Sequence, residues 1–316
     1  MKERSTNQSH PFSHTEFVLL GFPGTASHRP FLVIPFLAIY LVILTANFLI
    51  IYRIWAEKSL HSPMYSLISV LLLVNLFSST AILPKFLLGL LFDLNQITLS
   101  GCLLQMFTIY FMVTYESAVV LLMALDRYVA ICRPLRYHDI MTNRLLAQLS
   151  FIAIMRSICL VLPLILLASQ VQYCKSNIIL NFVCENMGLL NLGCGNISTS
   201  LVAGLIIRIL VTVADLSFLL VSYSNILNTA MKIVVGKAKH KALHTCGTHL
   251  SVAITFHMSA LSSSIVYRIQ SSISIDIQNL FSAIYLIIPA ALNPLIYGFG
   301  VREIRKCLVK AWRKNL

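Results

Sequence analysis

Charge is what this chain has least of. Only 11% of its 316 residues are Asp, Glu, Lys or Arg, where a soluble domain carries roughly 25%. Hydrophobic residues make up 58%, more than a soluble fold of this length can hide, so lipid is the expected solvent. Internal repeats and rows of pore-lining charge are missing, which argues against a transporter or channel. There is no H-E-x-x-H and no G-x-S-x-G, which argues against an intramembrane enzyme of either type. His240 and His244 have ligand spacing on a helix, but no third ligand lies nearby, so neither a metal nor any other cofactor is assigned. No basic stripe interleaves with aromatics, so the net charge of +13 does not point to nucleic acid. The N-terminus is polar through about Ser13 and lacks a signal-peptide pattern, leaving the first apolar helix as the expected insertion signal. The tail after Phe299 has no Ser or Thr, which excludes tail phosphorylation on those residues there.

What is present is apolar and long. Seven runs have the roughly 20 residues that a membrane span needs: about Phe31–Ile54, Met64–Phe92, Leu103–Cys132, Leu145–Val171, Ile197–Met231, Leu243–Val266 and Ile277–Phe299. The expected fold is an all-α membrane protein, a seven-transmembrane-helix bundle forming one domain over 1–316. Residues 1–28 are expected as an extracellular tail and 301–316 as a cytoplasmic tail with a short amphipathic helix. With the N-terminus outside, the inner segments hold Arg53 and Lys58, Arg133, Arg136 and Arg144, Lys232 to Lys241, and Arg302 to Lys314. That is most of the 24 basic residues, as the positive-inside rule requires. In this topology Asn7-Gln8-Ser9 is an outer glycosylation sequon. Cys102, Cys174, Cys184 and Cys194 also face the oxidising side, where disulfides are expected, although spacing alone leaves their pairing open.

The most specific block is Met123-Ala124-Leu125-Asp126-Arg127-Tyr128-Val129-Ala130-Ile131-Cys132-Arg133-Pro134-Leu135-Arg136-Tyr137, at the inner end of the third span. Further blocks follow the same family's order. Leu60-His61-Ser62-Pro63-Met64-Tyr65 opens the second span and Ser222-Tyr223 lies in the fifth. Lys241-Ala242-Leu243-His244-Thr245-Cys246-Gly247-Thr248-His249-Leu250 opens the sixth, and Pro289-Ala290-Ala291-Leu292-Asn293-Pro294-Leu295-Ile296-Tyr297-Gly298 closes the seventh. Together they resemble the odorant receptor family of rhodopsin-like, G-protein-coupled receptors, from about Phe17 to Lys310. The only Trp residues are Trp55 and Trp312. The absence of Trp from the fourth and sixth spans fits odorant receptors better than amine or peptide receptors. Gly21-Phe22-Pro23-Gly24 resembles the fish-like (class I) branch.

The resemblance implies a small-molecule odorant as ligand, a stimulatory, olfactory-type heterotrimeric G protein as partner, and a plasma-membrane location in olfactory cilia. It implies disulfides Cys102–Cys184 and Cys174–Cys194. It also implies an inner switch in which Asp126 holds Arg127 at rest, with Tyr128, Tyr223, Lys241, His249, Asn293, Pro294 and Tyr297 around it. Pro294 removes a backbone hydrogen bond and is expected to kink the seventh span. In this family Glu116 usually neighbours an acid in the second span. Here that position is Asn75, with Asn47 nearby, so a polar network or a protonated Glu116 is expected there and no sodium site is claimed. Cys307, in the tail, is either palmitoylated or a plain thiol.

The ligand site is expected in the outer half of the bundle. Tyr110 and Thr114 share a face of the third span, Gly204 and Arg208 one of the fifth, and His257, Ser264 and Arg268 one of the sixth. Arg268, with Arg208 as a second member, is a candidate anchor for an anionic odorant such as a small carboxylic acid, which a guanidinium grips through two parallel hydrogen bonds. The plain alternative pairs Arg268 with Asp276 or a lipid phosphate, and Arg208 with Asp215 two turns along its own helix.

Overall fold

The computed structural model describes residues 13–232, 237–269 and 273–314, and the side chains of all of these except 26–28, 237–243, 267–268 and 311–314. Within it, seven helices are long and apolar enough to cross a membrane: Arg29–Ala56, Pro63–Phe92, Leu99–Cys132, Asn143–Ser169, Ser198–Lys232, His244–Val266 and Ile275–Gly300. These are the first to seventh spans. Each matches an expected apolar run, and several begin earlier because capping groups set the start. Thr98 accepts the Gly101 N–H at 3.1 Å ahead of the third span. Thr142 does the same for Leu145 at 3.2 Å ahead of the fourth. A side-chain oxygen satisfies one of the N–H groups that a helix start leaves bare.

The bundle turns large apolar side chains outward and buries polar and charged ones within its apolar core. Phe48, Trp55, Leu220 and Phe299 are largely exposed, while Asn47, Asn75, Asp126 and Asp215 are buried. Water as the outer solvent would favour the reverse; lipid explains it. Near the face that carries Arg53, Arg133 and Arg302, here the basic face, Met64, Ile68, Met123, Tyr223 and Tyr297 pack into one apolar cluster. The helix Arg302–Lys314 closes on that cluster through buried Ile304 and partly buried Cys307 and Leu308. Partial burial and the Glu57 carboxylate push the Cys307 thiol pKa up.

The opposite face carries both disulfides, Cys102–Cys184 and Cys174–Cys194, with Cα atoms 5.4 and 5.8 Å apart. This is the pairing that the resemblance implies. The same face holds an element that the apolar runs do not announce. Residues from Ser13 onward, expected as part of an extracellular tail, fold onto the bundle. Strand β1 (Glu16–Leu19) lies between β2 (Gln96–Thr98), antiparallel, and β3 (Ile178–Ile179), parallel. The reason is apolar. Phe17 is fully buried, edge-on to Tyr173 at 5.6 Å, and Phe22 stacks on Phe182 at 6.2 Å. Gly21 permits that approach, since a Cβ there would stand 2.6 Å from the Phe182 Cβ and 2.9 Å from its Cα. The fold is the expected all-α seven-helix bundle, to which the described residues add one small three-stranded sheet.

Candidate functional site

Below the disulfide face a cavity of roughly 190 Å³ opens between the third, fourth, fifth, sixth and seventh spans. Five residues singled out in the sequence line it together: Tyr110, Thr114, Gly204, Arg208 and His257. A sixth, Ser264, lines an adjoining compartment that shares Tyr110, Arg208 and Tyr285 with the first. The side chain of Arg268 lies outside the described residues, so its candidate role gains no geometry. The walls are otherwise mostly apolar, with Val161, Leu164, Leu205, Val211 and Phe256 among them. Such a lining with a few converging polar groups is the usual build of a small-molecule site.

The polar groups are held from several directions. Tyr110 Oη accepts the backbone N–H of Asn186 at 2.9 Å, which ties the third span to the loop between the disulfides. Thr114 spends its proton on the Tyr110 carbonyl at 2.8 Å. The Arg208 guanidinium donates to the Ala260 carbonyl at 2.9 Å and stands over the Tyr285 ring at 5.5 Å. Arg208 therefore bridges the fifth, sixth and seventh spans without a carboxylate partner among the described residues.

Here the alternative pairing of Arg208 with Asp215 is corrected. Asp215 instead accepts Arg156 of the fourth span at 2.6 Å, and its other oxygen takes the Ser117 hydroxyl of the third. Arg208 points toward the sixth span, where it shares the Ala260 carbonyl with the Ser264 hydroxyl, while both Asp215 oxygens are already engaged. Asp276 accepts the Gly24 N–H at 3.1 Å, and its pairing with Arg268 falls outside the described side chains. Arg156, Ser117, Asn186 and Tyr285 were not singled out as site residues in the sequence. Arg156 had a signal, being a charged residue at the middle of an apolar run, which marks function by default.

At the basic face, Arg127 donates to Asp126 Oδ2 through Nε, at 3.0 Å, and through a terminal nitrogen. Asp126 is fully buried, and its second oxygen accepts Tyr137 Oη at 2.7 Å. Burial, with the Asp126 carboxylate behind it, pushes the Tyr137 hydroxyl pKa up, so Tyr137 stays a donor. Tyr297 Oη reaches His249 Nδ1 at 3.4 Å and Met123 Sδ at 3.7 Å. Tyr223 is buried in the same cluster, with Tyr128 packed against it. The side chain of Lys241 lies outside the described residues, and so does Asn7.

Between the two ends runs an amide chain. Asn293 donates to Glu116 at 3.1 Å and to Asn75 at 3.4 Å. Asn75 donates to Asn47 at 3.1 Å, and Asn47 donates to the Ala290 carbonyl at 3.1 Å. Ala290 lies four residues before Pro294, so its carbonyl is the one Pro294 cannot serve. Asn47 fills that place, and the seventh span continues as helix from Ile275 to Gly300.

The chain has counterparts of known family and fold. The family model described as olfactory receptor matches residues 36–315. Human olfactory receptor 52A1 is 37% identical, over 92% of this chain and 94% of its own length. Human olfactory receptor 52D1 is 35% identical, covering 93% of both chains. Among solved structures, squid rhodopsin superposes with a TM-score of 0.70 over 92% of this chain and 87% of its own, at 16% identity. The last figure speaks for the fold, and the first three for the family. The chain belongs to the olfactory receptor family, a multi-pass plasma-membrane family of G-protein-coupled receptors and not of enzymes.

Proposed function

We propose that this receptor binds a small odorant in the cavity between its third and seventh spans and activates a stimulatory, olfactory-type G protein, raising cyclic AMP in olfactory cilia. The observation that carries the reading is the gathering of Tyr110, Thr114, Gly204, Arg208 and His257 around one cavity, with Arg127 held by Asp126 at the far end of the same bundle. The N-terminus and the disulfide face are outside, and the basic face meets the G protein. Odorant binding lets the sixth span swing away and frees Arg127 from Asp126 for the G protein. Asn7 is glycosylated in the outer tail. The Gly21-Phe22-Pro23-Gly24 segment supports the fish-like branch, and the ligand is a small carboxylic acid. Arg208 supports that class because it lines the cavity and keeps guanidinium donors beyond the one spent on Ala260. Arg268 joins it by its place in the sequence.

The test is cyclic AMP in cells expressing the receptor with the olfactory-type G protein, scanned against carboxylic acids, amines and neutral odorants with surface level checked. Acid responses that weaken at least about tenfold in Arg208→Ala are expected, the scale of a lost charge-assisted hydrogen bond. Responses confined to neutral odorants would discard the acid anchor. Silence of a surface-displayed receptor toward the whole panel would count against odorant signalling itself.

A further inference from the structure

Two polar atoms in the cavity wall are buried and unmatched. His257 Nε2 and Asn186 Oδ1 have no hydrogen-bond partner, both residues line the cavity, and both are more than nine-tenths buried. They stand at different depths. A Cβ on Gly204 would lie 3.2 Å from the Asn186 side-chain nitrogen, which places Asn186 level with Gly204. One turn deeper, Arg208 reaches the Ala260 carbonyl, and His257 lies a further turn toward the middle of the bundle. At 1.5 Å per residue the two poles are roughly 10 Å apart along the axis. The wall between them is mostly aliphatic.

We infer that the ligand has two polar ends: an outer one that accepts from Arg208 and the Asn186 side-chain nitrogen, and a terminal hydroxyl held deep in the bundle by His257, on a medium-length aliphatic chain. This deepens the reading of the cavity as the odorant site and rests on it. A hydroxyl suits the deep pole because it both donates and accepts, and so serves the imidazole in either tautomer. A second carboxylate does not suit it, because Asp215 lines the same end and like charges repel. A plain methyl end leaves Nε2 buried without a partner, a loss of about tenfold in affinity.

The test measures binding to the full-length receptor in lipid nanodiscs, so that the result is independent of G-protein coupling. The probes are octanoic acid, its terminal-hydroxyl derivative, octanol and the corresponding terminal diol. Within each pair the added hydroxyl is expected to tighten binding about tenfold. The gain disappears in His257→Leu and returns in part in His257→Gln, whose amide also donates and accepts. Equal affinities within both pairs overturn the inference, as does a gain that survives His257→Leu, or no binding by any of the four. Should the leucine variant not fold, the wild-type pairs and the glutamine variant decide alone. The two ideas fail separately. A hydroxyl gain seen only in the uncharged pair removes the acid anchor and keeps the deep pole; tight acid binding with no hydroxyl gain does the reverse.

Discussion

Arg156 is the middle residue of the helix Asn143–Ser169, and Asp215 is the middle residue of Ser198–Lys232. A lone charge at that depth is costly in lipid, so each is tolerated because of the other. The pair is visible only in three dimensions. Asp215 sits seven residues after Arg208 on one helix, a spacing that suggests a local partner, whereas Arg156 lies 59 residues away. Sequence spacing reads contacts along a helix and is blind to contacts across two. We predict that Asp215→Leu or Arg156→Leu alone destabilises the receptor by about 3 kcal/mol, because the remaining charge is stranded. The double variant recovers most of that loss, since an apolar pair suits this depth. Unfolding midpoints of the purified variants, with their surface levels, measure the cycle. Additive losses would mean that the two charges do not support one another.

At the scale of the element, the seventh span shows why proline inside a helix is a design with two parts. The sequence places Pro294 in a helical run and suggests a kink; it does not say what becomes of the carbonyl that loses its donor. Asn47, 243 residues earlier, supplies the donor. Asn47→Ala is therefore expected to cost about 1–3 kcal/mol, the scale of a buried group left unsatisfied. Adding Pro294→Ala to that variant restores a backbone N–H within reach of the Ala290 carbonyl and should recover part of the loss. The same Pro294→Ala change in the native background offers the carbonyl a second donor it does not need, and recovers nothing. Thermal unfolding of the four proteins distinguishes these signs. β1 is the other element with a long-range cause. Its four residues, Glu16–Leu19, are too few to announce a strand. Their partners lie about 80 and 160 positions away, at Thr98 and Ile178. Apolar length made the spans legible, and nothing comparable marks a short central strand whose Phe17 lies against Tyr173.

For the whole molecule, the cavity and the Asp126–Arg127 pair are separate sites on one bundle, joined by the third span, which carries Tyr110 and Thr114 to the one and Asp126 and Arg127 to the other. If signalling is a coupling between them, it is reciprocal in binding energy but need not be symmetric in its loss. Removing Arg127 takes away the group proposed to meet the G protein while leaving every cavity residue in place. Arg127→Ala is therefore expected to abolish the odorant-stimulated rise in cyclic AMP while changing odorant affinity in the isolated receptor less than about threefold. His257→Leu is expected to do the converse, weakening binding while leaving whatever basal cyclic AMP the receptor produces. Arg127→Ala leaves Asp126 with the Tyr137 hydroxyl at 2.7 Å as its remaining donor, so the buried carboxylate keeps one hydrogen bond and the helix end has a reason to hold. Measuring both variants by ligand binding in nanodiscs and by cyclic AMP in cells gives four numbers. A loss of binding in Arg127→Ala equal to that in His257→Leu would mean that the two ends are not separable sites, and the division of labour between cavity and switch would fall with it.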